Sequence, residues 1–537
     1  MKRHWLSVCT ILVLLFLAAC GGAPADPAPA VEDAPADTQP GAAPALPTAQ
    51  PAAPSGEVSL ITVWVDIANG DDAASGATRE EALRTLDEAW ARIPMGVPLS
   101  AGYEIRLAAG EYPEDALPNY LESRHGTATA PIWIVSADGA GTAILRGDLN
   151  IYDTHYLTLS GLTIAPDPAG DAFHCELCTH ITLTDMTISG GEGREAHETI
   201  KINQSQYIDI LNSDIQGADD NTIDFVAVQY GNILGNRIHN AGDWCMYAKG
   251  GSAYLNIEGN EFFNCGTGGF TAGQGTGFEF MTSPWLHYEA YDIRFVNNII
   301  HDTEGAGFGV NGGYNILFAY NTLYRVGARS HVIEVVYGLR SCDGNIEACQ
   351  ARLDEGGWGT TEIGGEGEPI GNANIYILNN IVYNPAGFQS EWQHFAIYGP
   401  RTPAAGSGLP SPVVTDTNLV IQGNVIWNGP AAHPLGMEDG GEGCQPANPT
   451  CNPAQLLANN AINTLEPQLA DPENGDYRPL EGGNLFGLAL ASLPQFGWEG
   501  LPVAPVPPAG TIANTPVTVD YAQNPRTDGD PPGALAR

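Results

Sequence analysis

Lysine is rare in this chain. It occurs at Lys2, Lys201 and Lys249, and the other basic residues are arginines. Lys2 lies in an amino-terminal targeting stretch, which leaves two lysines for the folded part. Those two fall into one line. Counting nine residues back from apolar anchors that recur along the chain gives His174, Lys201, Asp224 and Ala248, the last flanked by Tyr247 and Lys249. The neighbours Ile200, Ile202, Ile223 and Phe225 are apolar and should point inward, so Lys201 and Asp224 should point outward. On stacked strands about 4.8 Å apart, His174, Lys201, Asp224 and Tyr247 or Lys249 would run along one exterior face. A lysine becomes a proton-abstracting base when burial or a nearby positive charge lowers its pKa. Lys249 is the candidate base, with Lys201 supplying the charge and Tyr247 beside it. The competing expectation is a solvated strand face, with Asp224 between the lysines as an ion pair of small energetic weight. His174 alone reads as a surface histidine.

The anchors define the elements that must position these residues. An apolar residue is followed three places later by Asn and five places later by another apolar residue. Ile233/Asn236/Ile238, Ile257/Asn260/Phe262, Phe295/Asn298/Ile300, Phe318/Asn321/Leu323, Ile377/Asn380/Val382 and Ile421/Asn424/Ile426 fit this pattern. Upstream, Leu162, Met186 and Ser213 hold the Asn position. A period of about 23 residues, with two or three short strands per unit, marks a parallel β-helix. Each coil buries its apolar face only by stacking on its neighbours. Equivalent asparagines can pair amide to amide up the stack, so they are structural. Longer intervals mark loops at roughly 263–290, 327–372 and 384–416, the kind that line a binding face on a rigid solenoid. Residues 79–93 read as an amphipathic helix, with Leu83, Leu86, Ala89 and Trp90 on one face, capping the first coil. The expected fold is all-β, a parallel β-helix solenoid over 59–430 with an N-terminal capping helix. A loop-rich cap and tail follow over 431–537.

Composition narrows the class. The 537 residues carry 62 acidic and 21 basic side chains, a net charge of −41. No basic surface is available to neutralise phosphates, which excludes a nucleic-acid partner. Gly (65) and Pro (40) leave no room for long helices, yet 43% hydrophobic residues supply a core. Residues 1–20 read as a signal peptide, with Lys2 and Arg3 before an apolar run too short to span a membrane. Residues 21–58, nearly all Ala, Pro, Gly and acidic residues, read as a tether. Cys342 with Cys349 and Cys444 with Cys451 are the best disulfide pairs. Cys175 and Cys178 suit a tight bridge or a C-x-x-C pair. Cys245 and Cys265 lie about one coil apart, with positions that need not face each other.

Several motifs resemble known families. Leu17-Ala18-Ala19-Cys20 resembles the bacterial lipobox, which implies an acylated Cys20 as lipid anchor at the outer face of a bacterial membrane, at the cell surface or in the periplasm. Val63-Trp64-Val65-Asp66, Gly70-Asp71-Asp72 and Leu83-Arg84-Thr85-Leu86 resemble the entry segment of pectate-lyase-like β-helices, which implies the right-handed form. Asp471-Pro472 and Gly475-Asp476-Tyr477-Arg478-Pro479 resemble the closing segment. This resemblance covers most of residues 59–480 and concerns the fold, which hosts many reactions.

Tyr247-Ala248-Lys249-Gly250-Gly251-Ser252 resembles a Lys-Gly-Gly motif of β-helix proteins similar to polysaccharide lyases. Asp219-Asp220-Asn221-Thr222-Ile223-Asp224 resembles the calcium-binding aspartates of family-nine pectate lyases, with Asn-Thr in place of Gly and the last Asp one place further on. The resemblance implies Lys249 as base and Asp219, Asp220 and Asp224 as calcium ligands. In such β-elimination across a uronic acid, calcium neutralises the carboxylate and acidifies the adjacent proton. Gly-His-Gly and Arg-Ile-Lys motifs of the pectin hydrolases are absent, which disfavours hydrolysis. The sequence therefore points to an exported monomer that cleaves an extracellular, uronate-containing polysaccharide. The second reading is a non-catalytic surface protein that binds glycans or partners, with Phe278, Phe280, Trp285, Tyr288 and Trp358 stacking on sugars or simply packing the loops.

Overall fold

The computed structural model describes residues 59–501, 505–508 and 514–537. The signal peptide, the tether and Cys20 lie outside the described residues. The chain winds through three long parallel sheets. The first has twelve strands, from Leu60–Val65 to Thr417–Gln422. The second also has twelve, from Gly110–Pro113 to Ala461–Ile462, and the third has ten, from Leu121–Glu122 to Gln393–Ile397. One turn of the coil runs Gln206–Leu211, Asp214–Ala218, Ile223–Val226, and then back to the first sheet at Gln229–Leu234.

The apolar anchors stack in register. Ile210 pairs with Ile233, Ile233 with Ile257, Ile257 with Phe295, Phe295 with Phe318, Phe318 with Ile377, and Ile377 with Ile421. All of them are buried in one continuous core. Between the first and second sheets the chain turns at a left-handed residue followed by the Asn position: Gly235-Asn236, Gly259-Asn260, Asn297-Asn298, Tyr320-Asn321. A left-handed φ strains most side chains, and glycine or asparagine fills such a turn at the lowest cost.

The asparagines form an unbroken column. The backbone N–H and side-chain amide of Asn236 both donate to Asn260 Oδ1, each at 2.9 Å. Asn260 repeats this onto Asn298, Asn298 onto Asn321, Asn321 onto Asn380, and Asn380 onto Asn424. The remaining amide N–H reaches back to the carbonyl of the anchor one coil earlier, Ile210 for Asn236 and Ile233 for Asn260. Every polar atom of these buried side chains is thereby paired. Below Asn236 the column continues through Ser213 and Met186, as the shared frame implies. Above Asn424 it continues past residue 430 to Asn460.

The capping segment is shorter than its apolar pattern implies. Arg79–Glu81 is a single 3₁₀ turn, and the α-helix is confined to Leu86–Ala91, capped by the Thr85 side chain. Leu83 between them is extended and bridges to Val65. The Leu83 N–H donates to the Trp64 carbonyl and the Leu83 carbonyl accepts the Asp66 N–H, so sheet pairing overrides helix periodicity there. Leu83, Leu86, Ala89 and Trp90 are nevertheless all buried against the first coil.

The insertions are also shorter than the anchor spacing suggests, because regular third-sheet strands sit inside the expected loops. Gly268–Gly273, His331–Val336 and Gln393–Ile397 all belong to the coil. What protrudes is a small sheet of Gly275–Gly277, Gly338–Ser341 and Glu368–Ile370, with a helix at Ile346–Asp354. Cys342–Cys349, Cys444–Cys451 and Cys175–Cys178 are disulfides. Cys245–Cys265 is bonded as well, with Cα atoms 5.5 Å apart, because both side chains turn into the core from neighbouring strands.

Replacing Asn321 by Ala removes the acceptor of two Asn298 N–H groups and the donors to Asn380 and Phe295. Urea unfolding should show a loss of about 2–4 kcal/mol, since stranded buried donors cost ~1–3 kcal/mol each. The same change at Asn460, at the open end of the column, should cost clearly less.

Candidate functional site

The outward residues of the third sheet stand in register. His174 pairs with Lys201, Lys201 with Asp224, Asp224 with Tyr247, and Tyr247 with Thr271. Lys249 lies two residues further along its strand, opposite Val226. The count of nine lands on Ala248 because the Lys249-Gly250-Gly251-Ser252 turn adds one residue. Gly250 and Gly251 both have left-handed φ, +66° and +83°. A Cβ on Gly251 would meet the Trp285 carbonyl oxygen at 2.5 Å, so the turn and the overlying insertion fit only with glycine there.

Glu289 clamps that insertion down. One carboxylate oxygen accepts the Gly250 N–H (3.0 Å) and the Thr276 hydroxyl (2.6 Å). The other accepts Arg340 Nε (2.8 Å) and a terminal nitrogen (2.5 Å). Both side chains are fully buried, and Arg340 also donates to the Trp358 and His287 carbonyls. The insertion thus forms a fixed wall. Between wall and third sheet runs a groove of about 470 Å³, bordered by Lys201, Asp220, Asp224, Lys249 and Phe280.

The two lysines have different environments. Lys201 Nζ is 3.0 Å from both Glu198 oxygens and 3.0 Å from Asp224 Oδ2. Glu198 and Asp224 are almost wholly buried, so this ion cluster is not the solvated face that an outward strand suggests. Burial works against the Lys201 ammonium, but the Asp224 and Glu198 carboxylates prevail and raise its pKa. Burial and the charge of Asp224 raise that of Glu198. The positive charge of Lys201 is therefore spent on its own neighbours and is not free to tune Lys249.

Lys249 Nζ donates to Gln274 Oε1 at 3.2 Å and lies 4.2 Å from the centre of the Tyr247 ring. Among the described residues no carboxylate oxygen pairs with it within 4 Å. Tyr247 is 2% exposed, and its phenol is held well above the usual range by burial and by Asp224 and Glu198. It is a platform beneath the amine and keeps its own proton. Gln274 Nε2 also donates to Asp243 Oδ2 at 3.4 Å, and burial with the charge of Asp220 pushes the Asp243 carboxyl up to about 6.

The three aspartates do not form the expected calcium site. Asp219 is exposed, and Asp224 has Lys201 where a cation would sit. Among the described residues, Asp220 converges with His197 and Glu198, while Asp219 and Asp224 join no converging group. Calcium takes six to eight oxygen ligands. A set holding one imidazole, one carboxylate already paired with an ammonium, and one aspartate 3.8 Å from that imidazole does not fit it. His197, 68% exposed, lies 2.9 Å from Glu198, which raises the pKa of its imidazole. His174 contacts Asn203 at 3.2 Å, and burial lowers its pKa. Of the loop aromatics, Phe278, Trp285 and Trp358 are buried and pack the insertion, whereas Phe280 is exposed at the groove.

Sequence reasoning missed Glu198, Gln274, Glu289 and Arg340. They sit at strand ends or inside insertions, where neither the repeat nor a motif assigns a direction. Glu198, three residues before Lys201, is the one that charge spacing alone would have suggested.

A model of the right-handed β-helix region matches residues 144–283, a span that holds His174, Lys201, Asp224, Tyr247, Lys249 and Gln274. The fold is a right-handed parallel β-helix. No curated protein matches the chain by sequence. Among solved structures the chain is similar to a rhamnogalacturonan lyase, at 12% identity over 62% of this chain and 84% of that one, with a TM-score of 0.40. It is similar to pectate lyase Pel9A, at 14% identity over 61% and 76%, with a TM-score of 0.33. It is also similar to the A-module of an Azotobacter vinelandii mannuronan C-5 epimerase, at 11% identity over 60% and 85%, with a TM-score of 0.36.

Exchanging Lys201 for Met leaves Glu198 and Asp224 buried without their cation. Breaking such a pair costs ~3–5 kcal/mol when fully enclosed, and the partly open Lys201 should give about 3 kcal/mol in chemical unfolding. The sign with pH follows from its raised pKa. The contribution is complete at neutral pH and disappears as pH climbs through the raised lysine value, so wild type and Lys201→Met should converge in stability only in strong alkali.

Proposed function

We propose that this chain is an exported, lipid-anchored protein that cleaves a uronate-containing polysaccharide by β-elimination in the third-sheet groove, with Lys249 as the base. The observation that carries this reading is the state of Lys249. It is an amine at a groove, free of any carboxylate partner among the described residues, in a chain that places its other folded lysine in an ion cluster.

Each contact of Lys249 suits a base. Gln274 Oε1 takes one N–H and holds the nitrogen at the groove. The amine takes the C5 proton beside the uronate carboxylate, the C–H electron pair becomes the C4–C5 double bond as the C4–O bond breaks, and the leaving oxygen takes up a proton from solvent. The ammonium formed then rests over the Tyr247 ring, a contact worth ~0.5–2 kcal/mol in proportion to its desolvation. His197 lines the same groove, with its ring 2.9 Å from the Glu198 carboxylate that raises its pKa. Phe280 offers an exposed ring to a sugar face. The anchor is assigned to Cys20, since acyl chains supply the partition energy that a short apolar leader lacks.

The purified chain, given a panel of uronate polymers, should generate the ultraviolet absorbance of unsaturated ends. Lys249→Ala should lower kcat by about two to four orders of magnitude while the thermal midpoint stays within a degree or two, because a positioned base supplies that factor and a half-exposed side chain contributes little to stability. Retained binding to a polymer without any new absorbance would instead favour the non-catalytic glycan-binding reading. In membrane fractionation, Cys20→Ser should move the protein to the soluble fraction; retention at the membrane would remove Cys20 as the anchor.

A further inference from the structure

Outside the groove, near the amino-terminal end of the coil, two histidines stand on neighbouring turns. His125 and His155 form a bridge between adjacent coils, and their rings stack with centroids 4.5 Å apart. Asp153, at a left-handed turn just before the first-sheet strand His155–Ser160, faces both. Its Oδ2 is 3.0 Å from His125 Nε2, and its Oδ1 is 3.6 Å from His155 Nε2. Ser123 Oγ donates to Oδ2 at 3.3 Å and steadies the carboxylate. One ligand atom from each of the three residues lies within 4.8 Å of the others.

We infer that His125, Asp153 and His155 form a binding site for a divalent transition metal of the zinc type, clipping the first coils together. The donor set selects the class of ion. Two imidazole nitrogens and one carboxylate suit zinc, copper or nickel, whereas calcium and magnesium call for oxygen ligands throughout. Tetrahedral zinc, with bonds of about 2.0–2.2 Å, holds its ligand atoms roughly 3.3 Å apart. Closing the present triad onto an ion therefore takes about an ångström of side-chain movement and a modest opening of the stacked rings. The side chains have that freedom, being 22%, 37% and 31% exposed for His125, Asp153 and His155. The same exposure leaves the fourth position to water. Because His125 and His155 come from separate turns, a bound ion adds a cross-link to the ring stack and the backbone hydrogen bonds that join the coils there.

Zinc chloride titrated calorimetrically into the full chain should bind tightly at a site that contains His125 and His155, and the thermal midpoint should rise with zinc concentration. His155→Ala and Asp153→Asn should each weaken that binding by about 100-fold or more, a loss at least as large as outer-shell changes produce. Both side chains are part-exposed, so circular dichroism should report an unchanged fold. His197→Ala should leave the binding intact, which separates this site from the groove. Calcium chloride should not compete. Zinc binding weaker than millimolar, or unchanged binding in His155→Ala, would overturn the assignment and leave the triad as a hydrogen-bonded clamp.

Discussion

The column of asparagines is the constraint on which the rest of this molecule depends. Each amide accepts two N–H groups from the coil before it and returns one N–H to that coil's anchor carbonyl. The geometry closes only if successive coils advance by one strand spacing with no lateral slip. A slip of one residue would turn every side chain of a strand to the other face. The column therefore fixes more than stability. It is the reason why Lys201, Asp224 and Tyr247 face one another across adjacent strands although they lie 23 residues apart in sequence.

Charge placement follows a second logic. In a chain with net charge −41, an ammonium attracts carboxylates, and Lys201 has collected two. Lys249 escapes that fate because its neighbours are an aromatic ring and a neutral amide. The carboxylate nearest to its turn, Glu289, is itself consumed by Arg340, Gly250 and Thr276. A buried ion pair contributes little net stability, but it admits one geometry. Here that geometry joins the Lys-Gly-Gly turn to a wall built from separate insertions.

Much of the fold was legible because its period is written in residue types: the anchors, the asparagines and the turn glycines all recur. The capping helix misled because Leu83, Leu86, Ala89 and Trp90 fit a helical face and also a strand-turn-helix that buries the same four residues. The insertions looked too long because an anchor marks only the first sheet and is blind to third-sheet strands such as His331–Val336. The lysine line was legible from the scarcity of lysine together with the repeat register. Its electrostatics were not, because the partner of Lys201 is Glu198 at a strand entry, and the partner of Lys249 is Gln274 on the next coil but one residue past the strand's end. The aspartate triplet failed for a related reason: Asp219 and Asp220 sit in the turn before the strand that carries Asp224, so neighbours in sequence point to different surroundings.

The scarcity of lysine has a practical corollary. Amine-directed reagents find two side-chain addresses among the described residues, and the two differ in chemistry. The Lys201 nitrogen is masked by hydrogen bonds to three carboxylate oxygens, whereas the Lys249 nitrogen meets a single neutral acceptor at an open groove. Of these two side chains, acylating or reductively alkylating agents used at low excess thus meet Lys249 first. A fluorophore or cross-linker can be set in the groove of the unmodified sequence, with no cysteine introduced among the four existing disulfides.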